Sequence, residues 1–138
     1  MYRNGRPEDQ CFLPEEKLFL RFQVVSDDGK VDVSQIKFYG QSVNREKYSK
    51  PYYILFPNFF HWGYGYLHVR EIPDDIRGGD GIPIKFKVEH EPLEENYSHS
   101  SIYPYKSGKQ YNPSRGRKIK LEYRTKMREK IRILKNPD

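Results

Sequence analysis

Alanine is absent from this 138-residue chain, which instead carries twelve tyrosines and eight phenylalanines. The strongest helix former is missing, and aromatic side chains suit the pleated surface of a sheet, so a helical bundle is disfavoured. Cysteine occurs once, at Cys11. No internal disulfide can form, and no CxxC or Cys/His pair at zinc-finger spacing exists to build a structural metal site. No apolar run approaches the roughly 18 residues of a membrane span. The segment "MYRNGRPEDQCFLPEEK" is polar and mixed in charge rather than basic and then apolar. These absences predict a reducing, cytoplasmic setting, no membrane partner, no cofactor, and an idle sequon at Asn96-Tyr97-Ser98.

What is present is unevenly charged. The net charge is +6, but residues 113–138 hold ten Lys or Arg against three carboxylates, a local balance of +7 that leaves −1 for residues 1–112. A chain of this length is one domain by the usual prior and can bury roughly 68% of its unfolded surface. We therefore expect a β-rich core over 1–112 and a basic linker and helix over 113–138, in the same domain.

"KLFLRFQVV" alternates Leu18, Leu20, Phe22 and Val24 with Phe19, Arg21, Gln23 and Val25, the period of a half-buried strand. Further strands are expected over Val31–Phe38, over the apolar "PYYILFP", over "YGYLHVREIP", and over "IPIKFKVEHEP", where Ile82, Ile84, Phe86 and Val88 face inward. "SSIYPYK" reads as a last strand confined to an edge by Pro104. "DDIRGGDG" reads as a turn and "QSVNREKYSKP" as a polar loop or one short helical turn. From Lys118 to Lys135, Ile119, Tyr123, Met127, Ile131 and Leu134 recur at helical spacing, with Glu122–Lys126 as an i,i+4 pair. The predicted fold class is α+β, mostly β: a curved antiparallel sheet of five to seven strands with one C-terminal amphipathic basic helix.

Four groups of residues are candidates for function. Lys120, Arg124, Arg128 and Arg132 on the helix could neutralise phosphates, or simply face water. Tyr64, Tyr66, His68 and Arg70 fall on one face of a strand, where they could stack a base and hold an anion, or form an ordinary tyrosine-rich surface. Ser42, Asn44 and Arg45 could hold a phosphate, though a surface turn is the simpler reading. In "HEPLEENYSHSS", His90 shares the register of Phe86 and Val88 and belongs to the core, whereas His99 is the candidate catalyst, paired with His68 if the fold brings them together. His61, His68, His90 and His99 match no metal-ligand spacing.

"EEKLFLRF", "SVNREKYS" and "PLEENYSHSSI" together resemble segments of small bacterial proteins that accompany mobile elements and defence islands, a resemblance that implies an antiviral setting rather than a reaction. The Leu-Phe-x-Arg start with a later Ser/Arg segment also resembles compact ADP-ribosyltransferase-like toxins. Their later catalytic glutamate has no clear counterpart here, so Arg21 and Ser42 take no role from that likeness. The expected function is a non-enzymatic binding module that contacts RNA, DNA or a partner protein in a larger assembly. The alternatives are a small enzyme acting on a phosphodiester or nucleotide, with His68, His99, Arg45 and Arg70 in its site, and a protein-only adaptor or immunity protein.

Overall fold

Alternating apolar residues and aromatic pairs organise most of the described residues into a curled antiparallel sheet covered by their single α-helix. The structure, a computed structural model, describes residues 2, 3, 6, 7, 9–50, 54, 62–94 and 96–134. Strands β1 (Tyr2–Arg3) and β2 (Arg6–Pro7) pair with each other. The main sheet contains β3 (Lys17–Phe22), β4 (Gln41–Arg45), β5 (Gly63–His68), β6 (Ile76–Arg77), β7 (Pro83–His90), β8 (His99–Lys106), β9 (Lys109–Gln110) and β10 (Arg132–Leu134). Its order is β10-β5-β3-β4-β8-β7-β6, with β9 on β8. Helix α1 spans Arg117–Lys130, and no helix among the described residues is long and apolar enough to cross a membrane.

Period two sorts each strand into a core face and an outer face. Leu18, Leu20 and Phe22 of β3, Val43 of β4, Leu67 of β5, Ile76 of β6, Ile84 of β7 and Ile102 of β8 join Ile119, Tyr123 and Met127 of α1 in one buried cluster. Strands from both ends of the sheet reach the same helix, which is what the curl accomplishes. Tyr123 is fully buried, its ring stacked on Phe86 at 4.0 Å between centroids and met edge-on by Phe38 at 5.7 Å. Phe19 and Tyr64 lie on the opposite face and form a second cluster with Ile54.

Several sequence expectations need correction. The helix ends at Lys130 rather than Lys135, because Ile131 turns to extended backbone and Arg132–Leu134 adds to the free edge of β5. The close approach depends on Gly65, where a Cβ would lie 2.5 Å from the Arg132 carbonyl oxygen. Residues 31–38 form no strand: Asp32 Oδ1 accepts from the Ser34 N–H at 2.9 Å and caps a 3-10 turn over Val33–Gln35. Gln41–Arg45 is a strand in the middle of the sheet rather than a loop. Ile82 precedes β7 and is exposed, while Ile76–Arg77, within the expected turn, pairs with β7.

Pro104 does not mark an edge either, since β8 lies between β4 and β7. Pairing with β7 is made by odd-numbered residues of β8, as in Glu91 N–H to His99 O; even-numbered residues face the β4 side, as in Arg45 N–H to Ser98 O. Pro104 therefore lacks its donor on the side where β4 has already ended, and its carbonyl still accepts from Tyr111 N–H at 2.9 Å. The strand expected over "PYYILFP" lies outside the described residues apart from Ile54.

Met127→Ala empties a fully buried site and is expected to cost about 2–5 kcal/mol. Tyr123→Phe deletes a buried hydroxyl that has no hydrogen-bond partner among the described residues and should raise stability by about 1 kcal/mol or leave it unchanged. Urea denaturation of both variants checks the pair.

Candidate functional site

Because Gln41–Arg45 is a strand, its polar residues are divided between two faces. Leu18 pairs with Arg45 and Phe19 with Asn44, so Arg45 shares the core face with Leu18, while Ser42 and Asn44 share the outer face with Phe19 and Arg21. The group Ser42, Asn44 and Arg45 is thus split, and the outer pair gains Arg21 as its neighbour. A pocket of about 280 Å³ opens there, with Arg21, Lys37, Gln41, Ser42, Asn44 and Trp62 among its lining. Asn44 Oδ1 accepts from Asn96 Nδ2 at 2.6 Å and from Ser98 Oγ at 3.1 Å, which orients the amide.

His99 completes this face from β8. Its Nδ1 lies 2.8 Å from the Glu91 carbonyl oxygen and its Nε2 lies 2.9 Å from Ser42 Oγ. A carbonyl can only accept, so Nδ1 carries a proton; in the neutral ring Nε2 is then the acceptor, and the Ser42 hydroxyl donates to it. The Glu91 side chain is anchored in turn by Tyr103, whose hydroxyl lies 2.9 and 2.8 Å from the two carboxylate oxygens. Burial and that carboxylate push the Tyr103 phenol up to about 12, so it remains a donor.

Helix α1 extends the site. With Ile119, Tyr123 and Met127 turned to the core, Lys120 and Arg124 fall on the flank beside Lys37. These three cations, with Phe38, Tyr39 and Asn112, line a second pocket of about 230 Å³. Lys37 lines both pockets, which makes them neighbours. Among the described residues no carboxylate lines either pocket, and Lys37, Lys120 and Arg124 enter no ion pair. Lys120 Nζ donates to the Pro113 carbonyl at 2.9 Å, a neutral acceptor that leaves its charge uncompensated.

The remaining helix cations are differently placed. Arg128 grips both oxygens of Asp28 at 2.8 and 2.7 Å, and Lys126 bridges Asp75 and Glu122, the latter as the expected i,i+4 pair. Arg132 is not helical; it makes a two-pronged contact with Glu71 at 2.6 and 2.7 Å. Glu71 also accepts from the His68 backbone and faces His68 Nδ1 at 3.0 Å. The Arg132 contact, aided by His68, holds the Glu71 carboxyl well below the usual range against the opposing effect of burial.

The expected row on β5 is accordingly dispersed. Tyr64 is buried against Phe19 and Ile54. Tyr66 lies between Lys17 and Arg132, whose charges sit 4.7 and 5.4 Å from its ring centre. Arg70 has left the strand for a 3-10 turn and is exposed near Glu71, Asp74 and Asp75. His68 and His99 stand on β5 and β8, separated by three strand spacings, roughly 14 Å, so they share no site. His90 is buried on the core face as expected, with Nδ1 3.3 Å from Ser100 Oγ. His61 lies outside the described residues. Among those described, no three His, Cys, Asp or Glu side chains converge to hold a metal ion.

Arg45 lines neither pocket. Fully buried, it makes two contacts of 2.9 Å with Glu16, donates to the carbonyls of Asp9 at 2.7 Å and Cys11 at 2.6 Å, and lies 4.0 Å over the Phe12 ring. It fastens the segment before β3 to the centre of the sheet. Burial alone raises the Asp9 carboxyl, but hydrogen bonds from Lys47, Tyr48 and the Cys11 N–H, with the Arg45 charge, outweigh it and hold the group well below its ordinary value. Lys37, Gln41, Trp62 and Asn112 line these pockets and were not among the candidate residues. Reading 41–45 as a strand would have placed Ser42 beside Arg21, but Lys37 and Trp62 lie in irregular segments with no period to reveal them. No family model, curated protein or solved structure matches the chain.

Arg45→Met leaves the largely buried Glu16 carboxylate without its cation and should cost about 3–5 kcal/mol in chemical denaturation. Asp9 and Glu71 have folded values below their unfolded ones, so their stabilisation is present above the unfolded carboxylate range, about 4, and is lost progressively as pH falls below that range through the folded values. The urea midpoint should be flat from neutral pH to about 5 and fall steadily below about 4.

Proposed function

We propose that this protein is a binding module for single-stranded nucleic acid, held in the groove that runs from Trp62 and Ser42 past Lys37 to Lys120 and Arg124. The observation that carries this reading is the contrast in charge pairing on one small surface. Lys126, Arg128 and Arg132 are matched to carboxylates, while Lys37, Lys120 and Arg124 converge on pockets that no described carboxylate lines. Unmatched cations in a concave site attract a polyanion and release its counterions on contact. Trp62 offers an indole for base stacking at one end, and Asn44 and Gln41 offer amide groups to base edges or sugars, a combination that suits an unpaired strand.

A single strand fits better than a duplex. The inner stripe of α1 is consumed by the sheet, its Lys120–Arg124 flank faces Lys37, and its exposed outer face, with Lys118, Leu121, Glu122, Thr125 and Glu129, is mixed in charge, so the helix offers no uniformly basic face to a major groove. The same placement favours nucleic acid over a protein partner for this groove, whose charge is of one sign.

Three phosphate contacts predict a slope of about −2 for log affinity against log salt with a single strand. Fluorescence anisotropy with labelled RNA and DNA oligonucleotides at several salt concentrations measures it. Each of Lys37→Gln, Lys120→Gln and Arg124→Gln should make the slope shallower by about 0.7, while Lys126→Gln, whose charge is already paired, should not. Binding that is independent of salt, or indifferent to all three substitutions, contradicts the reading.

A further inference from the structure

Ser42 lines this groove and His99 lies behind it on the same face of the sheet, with their protons already arranged for reaction. His99 Nδ1 is committed to the Glu91 carbonyl at 2.8 Å, and the Ser42 hydroxyl is directed at the free lone pair of Nε2 at 2.9 Å. A nucleophile hydrogen-bonded to a base, whose far nitrogen is oriented by a third group, is the arrangement that activates serine hydroxyls, with a carbonyl here in the orienting place. The third group is itself braced, because Tyr103 holds the Glu91 side chain through both carboxylate oxygens. Ser42 lines the pocket rather than the core, with Arg21 and Lys37 on the same walls to stabilise negative charge gathering on an attacked centre.

We infer that Ser42 is a nucleophile, with His99 as its general base, and that its substrate is a phosphodiester of the strand held in the groove; the substrate class rests on that binding reading, while the activation of Ser42 does not. Ser42 Oγ forms a bond to phosphorus as its proton passes to His99 Nε2. The bond from phosphorus to the departing ester oxygen breaks, and His99 returns the proton to that oxygen, leaving a phosphodiester on Ser42 and a free hydroxyl on the released segment. Water then attacks the same phosphorus, gives its proton to His99, and Ser42 Oγ leaves to recover that proton. The Glu91 carbonyl keeps its hydrogen bond to Nδ1 throughout and stabilises the imidazolium. Glu91 and Tyr103 are positioning residues, and Ser42 and His99 are the catalytic ones.

An alkyl fluorophosphonate tests the nucleophile without any strand: attack by Ser42 Oγ forms the same oxygen–phosphorus bond, fluoride leaves, and His99 takes the proton. Peptide mass spectrometry of the full chain should find the adduct on Ser42, none in Ser42→Ala, and a rate at least about 100-fold lower in His99→Gln. Ser34→Ala, at another serine on the pocket wall, should label as the unaltered chain does. An unlabelled wild-type chain, an adduct on Ser34 instead, or equal rates with and without His99 overturns the activation of Ser42. Strand binding is measured in parallel on Ser42→Ala, which retains every groove cation. Labelling of Ser42 in a chain that binds no strand overturns the phosphodiester as substrate, and strand binding in a chain that resists the probe overturns the nucleophile alone.

Discussion

The burial of Tyr123 between Phe86 and Phe38 is the contact on which the rest of the arrangement depends. Phe86 belongs to the sheet, Phe38 to the irregular segment after the 3-10 turn, and Tyr123 to the helix, so three separate pieces of chain meet at one ring. Once that ring is fixed, the 100° step between helical residues decides the rest. Lys120 and Arg124 must lie towards Lys37, and Glu122 and Lys126 must lie on the other flank, towards Asp75. The groove is a consequence of core packing, and its cations need no contacts of their own to be gathered.

At the other end of the core face the same sheet uses a polar solution. Gln41 and Arg45 are buried on the core face of β4, and Asn44 on its outer face, in a strand whose only apolar side chain is Val43. Each is satisfied internally: Gln41 Oε1 accepts from the Lys37 N–H at 2.7 Å and its Nε2 donates to the Ser42 carbonyl at 3.0 Å, while Arg45 is saturated by Glu16 and two carbonyls. A buried polar strand is stable only when every donor is met. The Gln41 contact also ties the backbone of Lys37, which lines both pockets, to β4.

Residues with a clear period were legible from the sequence. β3, β5 and β7, the mostly β class, the amphipathic helix with its Glu122–Lys126 pair, and the inward turn of His90 all follow from alternation or from 3.6-residue spacing. What was not legible depends on partners distant in the chain. Ile131 and Leu134 continue the helical stripe, yet the unpaired edge of β5 at Gly65 draws that segment into a strand. "QSVNR" lacks the apolar alternation of a strand because two of its three core-facing positions, Gln41 and Arg45, are polar, and Arg45 finds its partners some thirty residues away, at Glu16 and Cys11. His99 was singled out, but its partner was sought in His68 rather than Ser42, since only the unrecognised β4 brings Ser42 beside it.

The central claim is that one surface, the groove around Lys37, takes an anionic strand. A ¹H–¹⁵N correlation spectrum of the uniformly labelled chain, titrated with a short single-stranded oligonucleotide, tests it residue by residue. The account predicts that the shifts concentrate at Arg21, Lys37, Ser42, Trp62, Asn112, Lys120 and Arg124, with Asp75, Lys126 and the outer end of β7 unmoved. Shifts centred on Arg70 and Asp74, or a spectrum unchanged at saturating oligonucleotide, would contradict it.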